Sequence, residues 1–488
     1  MLNLLTFQDF QNEPNKAEFI GRAISEHVIC EEVKTAKNAD LYDHQKNVTI
    51  HEYVRVIFTA LGQPIEDVTA ANNKIACNLF HRLNTQRCTY SLGNGVSFSD
   101  HKKVVVEDGV KKTIDETKQK LGKKFDTAVK KGGYNALIHG VTFGFWNVDR
   151  LHIFPLTEFK PLWDEETGAL RAGIRFWKLA DDKPTIAVLY EEDGYTKFRS
   201  EAGLDNYDFK EIAPKRGYKQ IVKHSAFAGD EVVGEENYSS LPIVPLWGSS
   251  LKQSTLVGMR EAIDSYDLIR SGFANDLTDV AQIYWILENC SGMNEKDLAK
   301  FRDRLKIQHI AVVDTANGSK ATPYTQDIPA TARELYLDRI RAGIYEDFGA
   351  LDVHTVEAGA TNDHIDAAYQ PMDEEADDFE YQIIEFIQQI LSLMGIEDTP
   401  VFKRNRISNQ KEQTEMVSLV AEHLDEETFL SKLPFISVDE VPEIMARKDT
   451  EVAMHLKDKD DDTDDTDGTD DTTEDTPEEE DGETGGEQ

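Results

Sequence analysis

The sequence is poor in cysteine and has no long apolar run. Its four cysteines, among 488 residues, show neither a CxxC pair nor a zinc-ligand spacing. We therefore expect buried free thiols and a reducing compartment. No stretch approaches 18 consecutive apolar residues, which argues against a membrane-spanning helix. The first residues lack a basic region followed by an apolar run, so we expect no signal peptide.

Positive charge is also scarce. Lysine and arginine number 53 against 91 aspartates and glutamates, for a formal net charge of −38. Residues 457–488 hold seventeen acids and two lysines, so this tail carries −15 and residues 1–456 carry −23. The chain therefore has no overall positive charge with which to bind the phosphates of a nucleic acid. Because the tail also lacks Leu, Ile, Val, Phe, Tyr and Trp, it cannot bury an apolar core, and we predict that it is disordered.

Motifs that mark the common enzyme classes are missing. The sequence contains no GxxxxGK[ST] phosphate loop, no HExxH zinc motif and no GxSxG nucleophile motif, and its thirteen histidines are scattered. We expect no enzymatic activity, no catalytic residue, no metal site and no cofactor.

The remaining pattern predicts an α+β chain. Residues 15–140 have mainly helical periodicity, with an expected break at Gly132-Gly133, and residues 141–247 alternate as strands separated by turn residues. Residues 254–280 predict a helix about 40 Å long, with Ser254 as its cap. Residues 281–328 are mixed, 330–348 helical and 349–363 a loop. A long helix over 364–395 should kink or restart at Pro371, and shorter helices follow to 456.

The helix over 254–280 has a narrow apolar stripe whose members step by threes and fours. It includes Leu256, Met259, Ile263, Tyr266, Ile269 and Phe273. Such a stripe is typical of a helix packed against neighbouring copies in a ring, and equally of an ordinary helix in a bundle. The pattern alone leaves both interpretations open.

Two stretches, read with the order of elements, carry a family resemblance. The stretch "LPIVPLWGSSLKQSTLVGMREAIDSYDLIRSGFANDLTD" resembles the proline-containing strand and stem helix of tailed-bacteriophage portal proteins of the SPP1-like branch. The stretch "NNKIACNLFHRLNTQRCTYSLGNGVSF" is similar to an early segment of that family, with Val96 where the family has proline. The resemblance covers residues 15–450.

The resemblance implies a set of subdomains. They are a wing (1–250, helical over 15–140 and β-rich over 141–247), a stem helix (251–280), a small α/β clip (281–328), a second stem helix (329–348), a tunnel loop (349–363), a long wing or tunnel helix (364–395), a helical crown (396–456) and the tail (457–488).

It also implies a function and partners. Portal proteins form a ring, usually of twelve subunits, around a channel for double-stranded DNA at one capsid vertex. The implied partners are further copies of this chain, DNA without sequence preference, the terminase large subunit, the major capsid and scaffold proteins, and head–tail adaptor proteins, with no membrane. The implied location is the virion, after assembly in the host cytoplasm.

Two groups of residues are candidates for contact with DNA or partners. The tunnel-loop group consists of Asp352, His354, Glu357, Asn362 and Asp363. An acidic channel wall would let DNA slide, because it would not displace the counterions bound to the DNA phosphates and would therefore gain no affinity for DNA. The alternative is that this segment is an ordinary solvated loop. The clip group consists of Lys296, Lys300, Arg302, Arg304 and Lys306. It would meet the docking motor or neck proteins, or DNA at the channel mouth, and a solvated helix face is the alternative.

A different functional class is also open at this stage. An acidic-tailed, non-enzymatic chaperone or adaptor that binds basic partners would share the composition. Native mass separates the two, since an adaptor would be a monomer or dimer and a portal ring would exceed roughly ten subunit masses.

The first prediction concerns the tail. Because residues 457–488 have no apolar side chains to bury, a chain truncated after Leu456 should assemble as the full chain does and melt at the same temperature. Any defect should appear in capsid incorporation or DNA filling. Native mass spectrometry and differential scanning calorimetry check this. A truncated chain that fails to assemble, or that melts many degrees lower, would give the tail a structural role.

Overall fold

The computed structural model describes residues 5–59, 61–67, 70–107, 110–180, 182–201, 208–225, 229–280, 284–288, 295–297, 299–301, 320–324, 329–353, 361–406 and 410–433, with single positions between 436 and 448. The chain divides into two compact units, residues 1–103 with 115–409, and residues 104–114 with 410–488. The predicted disorder of residues 457–488 lies outside the described residues.

The helices are α1 (Phe7–Asn12), α2 (Lys16–Ile29), α3 (Glu31–Asp43), α4 (Val48–Glu52), α5 (Leu79–Leu92), α6 (Glu116–Leu121), α7 (Phe125–His139), α8 (Leu256–Val280), α9 (Ala330–Phe348), α10 (Asn362–Met394), α11 (Gln410–Leu419) and α12 (Glu426–Lys432).

The strands are β1 (Val56–Phe58), β2 (Pro64–Glu66), β3 (Val96–Phe98), β4 (Lys102–Glu107), β5 (Val110–Asp115), β6 (Val141–Asn147), β7 (Arg150–Pro155), β8 (Phe159–Trp163), β9 (Leu170–Lys178), β10 (Thr185–Glu191), β11 (Gly194–Ser200), β12 (Lys210–Arg216), β13 (Lys219–Ser225), β14 (Gly229–Glu236), β15 (Ile243–Trp247), β16 (Tyr284–Glu288), β17 (Lys320–Tyr324) and β18 (Pro400–Phe402). This mixture of helices and antiparallel sheets is of the α+β kind that the sequence predicts.

Two antiparallel sheets form the centre of the first unit. One has the strand order β12-β11-β10-β9-β8 and the other β15-β6-β7. Strand β10 is buried on both faces: Ala187 and Leu189 pack against the apolar side of α2, whereas Val188 and Tyr190 join a core with Phe143. The period of two therefore sends alternate side chains into two separate cores.

The predicted helix break at Gly132-Gly133 is wrong. Helix α7 runs through both glycines, and the break lies earlier, at Gly122, whose φ of +83° ends α6. A Cβ atom on Gly133 would lie 2.9 Å from Phe379 Cζ and 3.0 Å from Leu92 Cδ1. The glycine therefore lets α7 approach α10 and α5 closely, and that packing offsets its cost of about 1 kcal/mol within a helix.

Residues 53–78 also differ from the predicted helical stretch. Strands β1 and β2 pair antiparallel there, with Ile57 opposite Ile65 and Phe58 opposite Pro64. The chain then runs without regular structure from residue 71 to the start of α5. Strong β-branched content over residues 54–57 is the local reason for strand formation.

Helix α10 is more continuous than predicted. It runs unbroken through Pro371, where we expected a kink or restart. A continuous apolar stripe holds it on both sides of the proline. Pro371 itself is exposed, as is Ala367 one turn earlier, so water can satisfy the carbonyl that loses its partner.

Residues 396–406 contain a strand where we predicted helices. Strand β18 pairs antiparallel with β3, with Val401 opposite Ser97. Its partner lies about 300 residues earlier in the sequence, so no local pattern indicates the pairing. In the second unit, the structure describes the β4–β5 pair, α11 and α12, of which α12 is capped by Asp425.

Candidate functional site: the long helices and their contacts

Helix α8 begins at the residue that the sequence indicates. The Leu256 N–H donates to Ser254 Oγ at 3.2 Å, which confirms Ser254 as the cap. The Ser254 hydroxyl in turn donates to the carbonyl of Ile138 at the end of α7. The start of α8 is therefore fixed to the helix that lies on the central sheet.

The apolar stripe of α8 packs within its own subunit. Leu256, Met259 and Ile263 are 2–4% exposed and share a core with Ile344 and Phe348 of α9 and with residues of α3 and α5. These three side chains fill the subunit's own core and do not supply a surface to a neighbour, which corrects that part of the predicted seam. For the half-buried Tyr266, Ile269 and Phe273, the intersubunit role stays a prediction.

The buried side of α8 continues toward its C-terminal end as a ladder of polar side chains. Asp267 Oδ1, Ser271 Oγ and Asn275 Oδ1 accept hydrogen bonds from the backbone N–H groups of Cys77, Ile75 and Asn73, at 2.9, 3.0 and 2.6 Å. The acceptors are four residues apart on the helix and the donors two apart on an extended chain. A rise of about 6 Å over four helical residues matches about 6.6 Å over two extended ones.

Asp267 is the most buried member of this ladder. It is 1% exposed and also accepts from Asn47 Nδ2 at 2.9 Å. Burial raises the pKa of its carboxyl, although the bonds from Asn47 and Cys77 oppose the shift. Burial, with the nearby Asp267, also raises the pKa of the Cys77 thiol to about 12. Cys30, Cys77 and Cys88 are buried free thiols, as predicted, and Cys290 lies outside the described residues.

The two ends of α9 are anchored by arginines. At its start, Arg333 forms an ion pair with Asp276 of α8 and lies 5.7 Å from the Phe273 ring. At its end, Arg87 of α5 is 8% exposed and lies 4.1 Å from the Phe348 ring. Its guanidinium donates to the Phe348 carbonyl, where a cation complements the negative end of the helix dipole.

The predicted tunnel-loop residues are only partly described. Asp352 forms a bidentate ion pair with Arg341 of α9, with N–O distances of 2.9 and 3.0 Å, so its charge is compensated within the subunit. Asn362 and Asp363 form the first turn of α10, where a carboxylate favours the helix dipole. His354 and Glu357 lie outside the described residues.

The predicted clip residues are also only partly described. Lys296 and Lys300 are exposed. Arg302, Arg304 and Lys306 lie outside the described residues. Strands β16 and β17, at the two ends of this segment, pair antiparallel.

A cluster that the sequence did not indicate joins residues 404–406 to α10. Arg404 pairs with Asp373, Asp377 and Glu380, and Arg406 pairs with Asp366 and Asp373. Tyr90 of α5 donates to Asp373 at 2.7 Å. Burial raises the pKa of Asp373, but the bonds from Arg406, Tyr90 and Arg404 outweigh it and hold the pKa below its usual range.

An apolar surface is exposed on the hairpin of β1 and β2. Phe58 is 70% and Leu61 88% exposed, and Val56, Ile57 and Ile65 are each about half exposed. The pairing puts Ile57 and Ile65 on one face and Val56 and Phe58 on the other. Both faces of the hairpin are therefore apolar, and the described residues cover neither. Exposed apolar surfaces of this kind are typical of sites where proteins interact.

No metal cluster and no membrane span were found in the described part of the chain. No group of three histidine, cysteine, aspartate or glutamate side chains there could hold a metal ion. None of the described helices is both long and apolar enough to cross a bilayer.

Comparison with known proteins identifies the family. The profile of the family described as "Phage portal protein, SPP1 Gp6-like" matches residues 31–462. The chain belongs to this phage portal protein family. The resemblance to SPP1-like portals that the sequence motifs carry is thereby confirmed.

Two relatives are named portal proteins. The portal protein of Bacillus phage SPP1 is 24% identical over 429 residues, which cover 82% of this chain and 80% of that protein. The portal protein of Clostridium phage phiCD119 is 26% identical over 259 residues, which cover 51% of this chain and 55% of that protein. The chain thus spans about half the length of the Clostridium phage relative in that match.

The second prediction concerns the arginine cluster. Replacing Arg404 with Met should destabilise the subunit at pH 7 by about 1.5–3 kcal/mol, because three carboxylates lose charged hydrogen bonds. Since the folded-state pKa of Asp373 is lowered, this stability is present above the unfolded pKa near 4 and is lost as pH falls through the folded pKa. Thermal unfolding at several pH values between 7 and 3 measures it.

A matched control is Arg171→Met, which removes an exposed pair with Glu192 and should change the melting temperature little. The two variants should differ clearly at pH 7, and the difference should shrink as pH falls through the lowered folded-state pKa of Asp373. If Arg404→Met melts like wild type at pH 7, the cluster contributes nothing to stability.

Proposed function

We propose that this portal-family chain assembles into a ring-shaped DNA channel at one capsid vertex. Through it the genome would be packaged by the docked terminase motor, connected to the tail and ejected. Family membership over residues 31–462 carries the proposal. The ring would act as a conduit and docking platform without enzymatic activity.

Helix geometry is compatible with such a channel. Twelve α8 helices spaced 8–10 Å apart would lie on a circle about 30–38 Å across, which leaves a hole of roughly 20–28 Å after one helix diameter is subtracted. This hole would admit one DNA duplex, which is about 20 Å wide, and not two. At 25 residues, α8 would line about 37 Å of channel.

Net charge suits transport through the channel. A wall that neutralised phosphates would gain affinity from counterion release and would retain the duplex. A chain with 91 acids and 53 bases opposes such binding. The compensated Asp352 shows that acids near the end of α9 are not all available to repel DNA, so repulsion would come from exposed acids such as Asp363.

The apolar hairpin supports assembly. Two-stranded hairpins are marginal alone in water, and this one exposes apolar side chains on both faces. A head-to-tail contact repeated around a closed ring would cover it in every subunit. Scaffold, capsid and head–tail adaptor proteins are further partners, reached in the host cytoplasm and retained in the virion.

Electron microscopy and native mass spectrometry of the purified chain test the proposal. Twelve chains of 55.2 kDa give a ring of about 660 kDa with a central hole. A protein that stays monomeric or dimeric at micromolar concentration overturns the ring and favours an acidic adaptor that binds basic partners.

The third prediction separates ring contacts from folding. Ile57→Ser with Phe58→Ser removes one apolar side chain from each hairpin face, and should reduce rings to a minority species, since about 1.5–3 kcal/mol is lost per side chain at every contact. The subunit's melting temperature should hardly change, because both residues are already exposed.

The matched control is Leu179→Ser with Ile212→Ser, which removes two side chains that are at least as exposed elsewhere on the chain and should leave rings intact. Substituting Ile263 would not be informative, because it is buried in the subunit's own core. Full ring formation by the hairpin variant would show that the hairpin faces something other than a second copy.

A further inference from the structure

A cavity of about 460 Å³ lies between the α2–α3 junction, strand β8 and the residues that lead into α8. Its size is within the range of small-molecule sites. Trp163 and Trp247 form part of its wall, with ring centroids 6.0 Å apart and planes 20° from parallel. Val141 and Leu156 add apolar surface. The cavity therefore suits a flat or aliphatic apolar group.

A buried cation lies at this cavity. Lys160 of β8 is 3% exposed and lines the wall. No described residue accepts a hydrogen bond from its ammonium or lies within ion-pair distance, and Glu26 and Glu32 act on it only at longer range. Burial, the largest effect, lowers the pKa of Lys160. An ammonium this far from bulk water is stabilised by an anion within hydrogen-bond distance.

A second polar group on the wall is also incomplete. His139 is 7% exposed, and its Nε2 donates to the Asp40 carboxylate at 2.8 Å. Its Nδ1 is buried and makes no hydrogen bond in the described residues. By contrast, His27 on the same wall is satisfied, because its Nε2 donates to the Leu156 carbonyl at 2.8 Å and burial lowers its pKa to about 4.

The charged side chains at the rim do not pair with the Lys160 ammonium. Glu31 forms an ion pair with Lys34 at 2.8 Å, outside the cavity. Lys252 lies over the Trp247 ring at 4.9 Å. The interior of the cavity therefore contains the Lys160 ammonium, without an ion-pair partner among the described residues, and the Trp163 and Trp247 rings. The carboxylates near the cavity lie at its rim.

We propose that this cavity binds a small carboxylate with an apolar body. The carboxylate accepts from the Lys160 ammonium, the apolar body packs on Trp163 and Trp247, and a ligand with an added O–H or N–H group can reach His139 Nδ1. Because the cavity joins the β-sheet to the residues preceding α8, an occupant braces the start of that helix.

Titration of the full-length protein with 3-phenylpropionate tests the proposal, read by calorimetry and by quenching of the tryptophan fluorescence, to which Trp163 and Trp247 contribute two of five residues. We expect saturable binding that Lys160→Met weakens by roughly 10- to 100-fold, the loss of one charged hydrogen bond. Neutral 3-phenylpropanol should bind wild type and Lys160→Met equally and weakly.

Two further readouts keep the test decisive. Lys160→Met should melt at a higher temperature than wild type without ligand, since it removes an unpaired buried charge. Lys252→Met, at the rim, should bind 3-phenylpropionate within about twofold of wild type, because its charge is solvated. Absence of saturable binding to wild type, or equal binding by Lys160→Met, overturns the proposal.

Discussion

The packing of helix α10 is the constraint on which the first unit depends. Its buried residues step by threes and fours over 33 residues. The second half, from Phe379 to Leu391, belongs to the large core that includes the three-stranded sheet, whereas Ile365, Tyr369 and Met372 form a separate cluster with Tyr90 and Leu351. One rigid element thus fixes the sheet core and the region around the end of α9 relative to each other within this unit.

That constraint explains two features that look unfavourable locally. Gly133 sits inside a helix because only a glycine lets Phe379 approach, and Pro371 is tolerated because packing on both sides holds the helix across one missing hydrogen bond. Each costs roughly 1–3 kcal/mol in isolation. Burying a side chain such as Phe379 or Phe386 contributes about as much, so tertiary packing decides both positions.

Helix α8 buries one side in its own chain. The first part of that side is apolar and fills the core with α9, and the later part is the polar ladder, which satisfies the N–H groups of the extended segment at Asn73, Ile75 and Cys77. These hydrogen bonds mainly fix the register of the extended segment against α8. Each adds only about 1 kcal/mol to the free energy of unfolding. The other side of α8 is open to a neighbouring subunit, since Val257, Leu268 and Leu277 are 54%, 39% and 55% exposed, and it joins the hairpin as a surface for such contacts.

The sequence predicts the long helices well and the non-local contacts poorly. The helices over 254–280, 330–348 and 364–395 were predicted to within about two residues of their observed ends, because apolar periodicity over many turns is a strong local signal. The pairing of β18 with β3 joins residues some 300 positions apart, and no local pattern encodes it. The ladder was readable in part, since Asp267, Ser271 and Asn275 share one helix face at a spacing of four, but its donors are backbone groups of an irregular segment.

Acidic composition and free negative charge are therefore different properties of this chain. Asp352 is neutralised by Arg341, and Asp366, Asp373, Asp377 and Glu380 are held by Arg404 and Arg406. Four acids against two arginines leave that cluster with a net charge of −2, so these acids repel a duplex less than their number suggests. A sequence count of acids in one segment overstates the charge that a passing DNA would meet. The electrostatic character of a channel follows from which carboxylates remain exposed after the subunit's own arginines are paired.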